Sequence, residues 1–172
     1  MPTRKKTPPK AAKTPGKSAH PYVLKEGSRA PDFSLPDETG RVRSLKEFRG
    51  KKLVLYFYPK DFTSGCTQES CDFRDNLNRP ASSGTAVVGV SADSVESHAK
   101  FKAKHGLNFS LLSDPEKKML KAYGVWQKKS LYGREFMGIV RTTYIVDENG
   151  KIAKAFPKVS VTGHVGDVIA AL

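Results

Sequence analysis

The sequence predicts an α/β domain with a mixed central sheet that is covered by helices on both faces. Apolar runs typical of buried strands occur at residues 53–58 and 86–90, and a stretch with helical periodicity follows each of them. Two further strand patterns, Thr142–Val146 and Ile152–Phe156, flank a turn that contains Asn149-Gly150 and predict a hairpin. Strands that alternate with helices before a final hairpin favour a sheet with both parallel and antiparallel pairs.

The first half of the domain is predicted to contain a hairpin, a strand and a helix. Residues 33–35 and 42–45 flank the turn sequence 36–40, which is a hairpin pattern. After the first buried strand, a helix is expected over residues 64–78, because Pro80 cannot continue it.

Three more helices are predicted in the second half. One spans residues 94–105, with Asp93 or Ser94 as its N-cap. The run Asp114-Pro115-Glu116 combines a cap residue, a proline and an acid, which predicts that a helix starts there and ends at Gly124. The apolar residues of the terminal helix recur with helical spacing and are Val165, Val168, Ile169 and Leu172. This order of elements is typical of the thioredoxin-like fold.

Residues 1–20 differ in composition from the rest of the chain. They hold six basic residues and no acid, and so carry +6 of the net charge of +13. Their only large apolar residue is Met1, so we expect a disordered Lys/Pro-rich tail at 1–20 and one domain at 21–172. The tail could improve solubility, make weak contacts with nucleic acid or another polyanion, or serve as an import signal.

Composition also bears on the cellular compartment. No segment approaches the roughly 18 consecutive apolar residues of a membrane span, and the N-terminus lacks the apolar stretch of a secretory signal. Two cysteines without an export signal favour a reducing compartment, where a dithiol is more often catalytic than structural. We therefore expect a cytoplasmic protein that makes no contact with a membrane.

The most informative feature is a pair of cysteines, Cys66 and Cys71, at the start of the first predicted helix. The positive end of the helix dipole and the unpaired N–H groups of the first turn favour a thiolate at Cys66. Because the thiolate is the nucleophilic form of cysteine, this placement predicts redox chemistry. A structural zinc site is disfavoured because the chain has no second cysteine pair, and His98 and His105 are expected to help cover the sheet.

The spacing of the two cysteines predicts a conformational cycle. Residues five positions apart on an α-helix have Cα atoms about 8.6 Å apart and lie on different faces. A disulfide requires Cα atoms within about 7 Å of each other. Cys66 and Cys71 can therefore bond only if the first part of the helix unwinds.

The sequence around these cysteines resembles the active site of the peroxiredoxins, and most of all that of the bacterioferritin-comigratory-protein or PrxQ subfamily. The resemblance covers residues 22–172. Its motifs are Pro59-x-x-x-Thr63-x-x-Cys66 with Cys71, Ala30-Pro31-Asp32-Phe33, Tyr123-Gly124-Val125-Trp126 and the stretch 137–147, which contains Arg141.

The resemblance implies a thiol peroxidase that reduces hydrogen peroxide and organic hydroperoxides. Cys66 would be the peroxidatic cysteine, whose thiolate attacks the peroxide and becomes a sulfenic acid. Arg141 would supply a fixed positive charge beside the sulfur, and Thr63 would place a hydroxyl against the peroxide. Pro59 would shield the sulfur, and the N–H groups of Gly65 and Cys66 would stabilise the charge on the leaving oxygen.

The resemblance also implies a supporting carboxylate and a second thiol. Glu69, about one turn after Cys66, would hold the guanidinium of Arg141. Cys71 would be the resolving cysteine and would form an intramolecular disulfide with Cys66. Thioredoxin or a similar dithiol would reduce that disulfide. No flavin, haem or metal is implied, and the subfamily suggests a monomer.

Phe62 departs from the family pattern, in which a polar residue is expected at this position. Its ring could favour larger organic hydroperoxides or could pack against an adjacent loop.

Two other functions stay open from the residues alone. One is a thiol–disulfide oxidoreductase on the same fold, although those enzymes usually carry Cys-x-x-Cys. The other is a polyanion-binding module that uses residues 1–20.

Overall fold

A computed structural model of the chain describes residues 22–77 and 84–172. The predicted tail, residues 1–20, lies outside the described residues, as do Asn78 and Pro80 at the predicted end of the first helix. Within the described ranges, no helix combines the length and the apolarity needed to cross a membrane.

The described residues form a series of strands and helices in which the two types alternate over the middle of the chain. The strands are β1 (Ser34–Pro36), β2 (Val42–Ser44), β3 (Lys52–Phe57), β4 (Thr85–Ser91), β5 (Ser110–Ser113), β6 (Trp126–Leu131), β7 (Arg134–Ile139), β8 (Thr142–Val146) and β9 (Ile152–Phe156). The helices are α1 (Ser64–Asn76), α2 (Val95–His105), α3 (Lys118–Ala122), α4 (His164–Ala170) and a 3₁₀ helix, Leu45–Phe48.

The central sheet has five strands in the order β5-β4-β3-β8-β9. The pairs β3–β4 and β4–β5 are parallel, whereas β3–β8 and β8–β9 are antiparallel. The predicted mixed sheet is therefore confirmed. The runs at β3 and β4 are almost wholly apolar because strands near the middle of such a sheet are buried on both faces.

Helices cover both faces of the sheet, as predicted. Alternate residues of β3 divide between two cores, with Leu55 in one and Tyr56 in the other. Phe73 of α1, together with residues of α2 and α4, packs into the core of Tyr56. Leu120 of α3, together with the N-terminal segment, packs into the core of Leu55.

Antiparallel pairing of β3 and β8 positions the candidate site residues. In the register, Phe57 at the end of β3 lies opposite Thr142 at the start of β8. The loop that leads into α1 leaves β3 at this edge, and Arg141 directly precedes β8 at the same edge. Residues far apart in sequence are thus brought to one end of the sheet.

Several sequence predictions agree with the structure at the level of individual residues. The β8–β9 hairpin has the predicted bounds, and β1 pairs with β2 as predicted. The N-cap of α2 is Ser94, whose side chain accepts a hydrogen bond from the N–H of Ser97 at 3.1 Å. Gly106 follows the helix in the left-handed conformation that favours glycine.

The predicted start of α3 is wrong. The helix begins at Lys118, four residues after Asp114, because Lys117 has φ of +61° and cannot continue a right-handed helix. Asp114 still stabilises the start of the helix, because its carboxylate accepts hydrogen bonds from the N–H groups of Lys118 and Leu120.

The terminal helix differs from its prediction, and three strands were not predicted. The stripe predicted on the terminal helix is only partly buried, because Ile169 is exposed and Leu172 lies beyond the end of α4. Sequence patterns also did not predict β5 or the separate hairpin of β6 and β7.

Gly89 provides a test of packing in the sheet. A Cβ at this position of β4 would lie 2.8 Å from Leu111 Cδ2 and from the ring of Tyr56. We predict that Gly89→Ala lowers the free energy of unfolding by about 1–3 kcal/mol, because a tightly packed core has no room for the methyl group. Urea unfolding followed by circular dichroism measures this change.

The matched control is Gly166→Ala in α4, where an added Cβ meets nothing within 4 Å. This change should be neutral or should stabilise the protein by about 0.5–1 kcal/mol, since alanine is the better helix former. Equal effects of the two alanines would contradict the packing around Gly89.

Candidate active site

Cys66 is the third residue of α1 and is almost fully buried, with 1% of its surface exposed. The first backbone hydrogen bond of the helix runs from the N–H of Thr67 to the carbonyl of Thr63 at 2.9 Å. The preceding N–H groups, including those of Gly65 and Cys66, have no carbonyl within the helix to bind. The sulfur is therefore placed at the positive end of a helix and away from bulk water.

Arg141 lies beside this sulfur. Its Nη2 donates to Sγ of Cys66 at 3.2 Å, and its Nη1 donates to Oε1 of Glu69 at 2.9 Å. Burial opposes the positive charge, but the negative charges of Glu69 and Cys66 outweigh it and raise the pKa of Arg141. The guanidinium is thus a permanent cation held between a sulfur and a carboxylate.

The backbone of Arg141 is also fixed on both sides. The residue before it, Val140, donates its N–H to the carbonyl of Val125 at 2.8 Å. The carbonyl of Arg141 accepts from the N–H of Val159 at 2.9 Å. These contacts fix the backbone from which the guanidinium reaches Cys66.

Glu69 is completely buried, and only one of its carboxyl oxygens is paired. Among the described residues, Oε2 has no hydrogen-bond partner. Burial raises the pKa of Glu69 to about 7, although the charge of Arg141 acts in the opposite direction. The carboxyl group can therefore exchange a proton near neutral pH.

The loop between β3 and α1 contains Pro59 and Thr63. Thr63 occupies the N-cap position of α1, but its side chain does not cap the helix. Instead its Oγ1 donates to the carbonyl of Lys60 at 2.8 Å and is exposed to solvent. The side chain of Thr63 therefore leaves the helix end uncapped, while the lone pairs of its oxygen remain free to accept.

Gly65 lies directly against the guanidinium. An added Cβ at this position would be 3.4 Å from Nη2 of Arg141 and 3.9 Å from Cγ2 of Val161. The absence of a side chain therefore leaves the first turn of α1 open where Arg141 approaches it.

Cys71 lies farther along the same helix. It is half-buried, and both cysteines are free thiols. Helix α1 runs without interruption from Ser64 to Asn76, so the predicted helix is present and contains both residues. In this conformation the two sulfurs lie on different faces of the helix and are not bonded.

Phe62 packs against helix α2 rather than against a neighbouring loop. Its ring is edge-to-face with Phe101 at a centroid distance of 5.3 Å, and Nζ of Lys104 lies 5.8 Å from its centroid. Phe62 is still 46% exposed, so it borders solvent.

Lys129 is a charged residue near this site, and the sequence alone does not point to it. Its Nζ donates to the carbonyl of Ile139 at 2.9 Å. Burial lowers the pKa of Lys129, the charge of Arg141 lowers it further, and the sulfur of Cys66 opposes both. Only the pairing of β6 with β7, which the sequence did not predict, brings this ammonium group near the sulfur.

Comparison with known proteins gives a family assignment. The profile of the AhpC/TSA family matches residues 27–155. A putative peroxiredoxin bcp of Coxiella burnetii is 46% identical over 149 residues, which cover 87% of this chain and 99% of that protein. Peroxiredoxin Bcp of Bacillus subtilis is 46% identical over 150 residues, which cover 87% of this chain and 96% of that protein.

Solved structures agree with this assignment and confirm the predicted thioredoxin-like fold. Peroxiredoxin Q of Xanthomonas campestris has a TM-score of 0.76 at 40% identity, covering 81% of this chain and 88% of that chain. A bacterioferritin comigratory protein of the same organism, studied for its alkyl peroxide reduction activity, has a TM-score of 0.79 at 38% identity, covering 86% and 96%. The chain therefore belongs to the AhpC/TSA family and is a peroxiredoxin, a thiol peroxidase of the bacterioferritin-comigratory-protein (PrxQ) subfamily.

Proposed function

We propose that Cys66 is the peroxidatic cysteine of this enzyme and that its substrates are hydrogen peroxide and organic hydroperoxides. The hydrogen bond from Nη2 of Arg141 to its sulfur is the observation that carries this proposal. The thiolate attacks one oxygen of ROOH, a sulfur–oxygen bond forms and the oxygen–oxygen bond breaks. The leaving oxygen takes up a proton and departs as ROH, and Cys66 becomes a sulfenic acid.

Arg141 acts on both partners in this step. Its guanidinium stabilises the thiolate before attack, and its remaining N–H groups can donate to the peroxide oxygens as negative charge develops on them. A fixed planar cation suits this role because it adds no reorganisation during the reaction. The contact with Glu69 supports the proposal, since it orients the guanidinium toward the sulfur.

Thr63, Pro59 and Gly65 shape the space in front of the sulfur. The hydroxyl of Thr63 donates its proton to the backbone carbonyl of Lys60. We therefore propose that the hydroxyl oxygen accepts a hydrogen bond from the peroxide O–H. Pro59 shields the sulfur from water. The N–H groups of Gly65 and Cys66 stabilise the charge on the leaving oxygen.

Cys71 is proposed as the resolving cysteine. Its thiol attacks the sulfenic acid of Cys66, so that a disulfide forms and one water molecule leaves. Helix α1 must partly unwind for this step, because an intact helix keeps the two Cα atoms too far apart. Both cysteines belong to one helix of one chain, which supports a monomeric catalytic cycle.

A dithiol reductant closes the cycle. Thioredoxin or a similar protein attacks the disulfide, forms a mixed disulfide and supplies two electrons and two protons. Unwinding of α1 exposes the bond to this partner. A thiol–disulfide oxidoreductase is less well supported, because Cys66 and Cys71 lie on different faces of an intact helix.

Residues 1–20 are proposed as an accessory segment. Their charge of +6 favours weak contact with polyanions, but no residue of the proposed chemistry lies in them. We further propose that the enzyme works in the cytoplasm, where dithiol reductants keep cysteines reduced.

Replacing each cysteine separates the two steps. Cys66→Ser should reduce turnover to that of the uncatalysed reaction, because a serine hydroxyl is not ionised at neutral pH. Cys71→Ser should still reduce one equivalent of peroxide but should stall with thioredoxin. Rapid-quench assays with intact mass measurement would follow both variants. A cysteine-66 variant with near wild-type turnover, or a cysteine-71 variant that cycles normally with thioredoxin, would contradict the respective role.

Arg141→Lys tests the guanidinium. We predict that the second-order rate constant for oxidation of Cys66 falls about a hundredfold, because one ammonium group cannot donate to the sulfur, Glu69 and the peroxide together. Arg134→Lys in β7, where the side chain is exposed, is the matched control and should leave the rate unchanged. An equal response of the two variants in stopped-flow peroxide kinetics would show that Arg141 has no special role.

Glu69 predicts a specific pH dependence of stability. Its pKa in the folded enzyme is raised to about 7 from an ordinary value of 4.5. The folded state therefore binds the proton more tightly, so this contribution to stability is present below pH 4.5 and is lost as the pH rises through 7. Between pH 5 and pH 8, the reduced enzyme should lose about 2–3 kcal/mol relative to Glu69→Gln, which does not titrate.

Urea unfolding of both proteins under reducing conditions at pH 5, 6.5 and 8 measures this difference. A constant difference across the three pH values would mean that Glu69 stays ionised throughout.

A further inference from the structure

A buried polar network lies behind the loop that carries Pro59 and Thr63, and none of the roles proposed above uses it. Its centre is Asp61, a loop residue with 3% of its surface exposed. Its carboxylate accepts hydrogen bonds from the hydroxyls of Tyr58 at 2.6 Å and Ser97 at 2.8 Å. Nδ1 of His98 lies 2.7 Å from the same carboxylate.

His98 connects the loop to the sheet. The ring is completely buried, and its Nε2 lies 2.9 Å from the carbonyl oxygen of Leu112. A carbonyl can only accept, so Nε2 carries a proton. Nδ1 faces the carboxylate of Asp61, which is also an acceptor. The ring therefore connects the carboxylate of Asp61 on the loop to the backbone of β5.

The backbone of Asp61 is held as well as its side chain. Its N–H donates to Oδ2 of Asp93 at 2.9 Å, and the hydroxyl of Ser91 donates to the same oxygen at 2.7 Å. Atoms of Asp61, Asp93 and His98 lie within 4.8 Å of one another, as in a metal site. Each of these residues is already hydrogen-bonded within the protein, so the cluster is a completed hydrogen-bond network.

The chain turns sharply directly after this anchor. Phe62 has φ of +65°, in the left-handed region that a bulky side chain rarely adopts. Such a conformation persists only where neighbouring contacts impose it. Here the network at Asp61 and the contact of Phe62 with Phe101 impose it, and α1 with Cys66 starts two residues later.

We propose that Asp61 and His98 form a clamp that marks the fixed N-terminal boundary of the segment that unwinds when Cys66 bonds to Cys71. This proposal rests on the proposed function of the two cysteines. The opposite boundary lies in the second half of α1, where Phe73 is 1% exposed and Arg74 donates to the carbonyl of His105 on α2. The moving segment thus lies between Asp61 and Phe73.

Asp61 and His98 are positioning residues in this scheme. The clamp holds the loop and the first turn of α1 in the arrangement that reacts with peroxide. Because the unwinding segment begins directly after this anchor, the clamp also slows the opening of the first turn that resolution requires. Weakening the clamp therefore slows oxidation of Cys66 and accelerates formation of the disulfide. It also shortens the life of the sulfenic acid, so less of it reacts with a second peroxide to give the sulfinic acid and another ROH.

Two variants of the full-length chain test the clamp. Asp61→Asn keeps the shape but removes the charge and one acceptor; it should slow oxidation about tenfold and accelerate disulfide formation by a similar factor. Ser97→Ala removes one hydrogen bond to Asp61 and should act in the same directions by about threefold. Rapid-quench experiments with hydrogen peroxide and intact mass measurement give both rates and the sulfinic fraction.

Ile152→Val is the matched control. It weakens the packing of a fully buried residue in β9, away from the loop, and should leave the ratio of the two rates unchanged. The clamp is overturned if Ser97→Ala leaves that ratio at the wild-type value or slows both steps equally. Ser97→Ala decides the question even if Asp61→Asn does not fold.

Failure of the underlying proposal has a different signature. If wild-type protein forms no Cys66–Cys71 disulfide with peroxide, the assignment of Cys71 fails and the clamp fails with it. If the wild-type disulfide forms but the variants do not change the balance of the two steps, only the clamp fails.

Discussion

The site depends on the hydrogen bonds that the guanidinium of Arg141 makes. This guanidinium donates to the sulfur of Cys66 and to the carboxylate of Glu69, which lie three residues apart on one side of α1. A partly buried cation is stabilised by such partners, so the start of β8 and the first turns of α1 must keep their relative positions. Antiparallel pairing of β3 with β8 supplies that alignment, and the carbonyl and N–H contacts around Arg141 maintain it.

Helix α1 has to satisfy two opposing requirements. It must be folded to place Cys66 beside Arg141, and it must open for Cys66 to reach the proposed resolving cysteine. Its N-terminus lacks two common stabilising features, since the side chain of Thr63 makes no capping bond and no acid lies in the first turn. Helix α2 has both, with Ser94 as its cap and Glu96 in its first turn. The difference suits a helix start that opens locally.

Local signals explain which elements could be predicted. The strands β3, β4, β8 and β9 and helix α2 have strong apolar runs, caps or turn residues, and they were predicted within one or two residues. The hairpin of β6 and β7 was not predicted, because β6 is rich in polar residues. The turn that joins the two strands also places Tyr132 at φ of +50°, where asparagine or glycine is expected. The start of α3 was misplaced because Lys117 interrupts the helix in a conformation that the sequence does not signal.

For the functional site, the sequence alone determined the order of motif residues, the placement of Cys66 at a helix start and the impossibility of bonding it to Cys71 on an intact helix. These follow from spacing and backbone geometry, which are local properties. The tertiary structure decided the rest. The burial of Glu69, the approach of Lys129 and the network of Asp61, Asp93 and His98 all depend on which distant segments meet at one edge of the sheet. Contacts of that kind are set by strand pairing and packing, so spacing along the chain does not contain them.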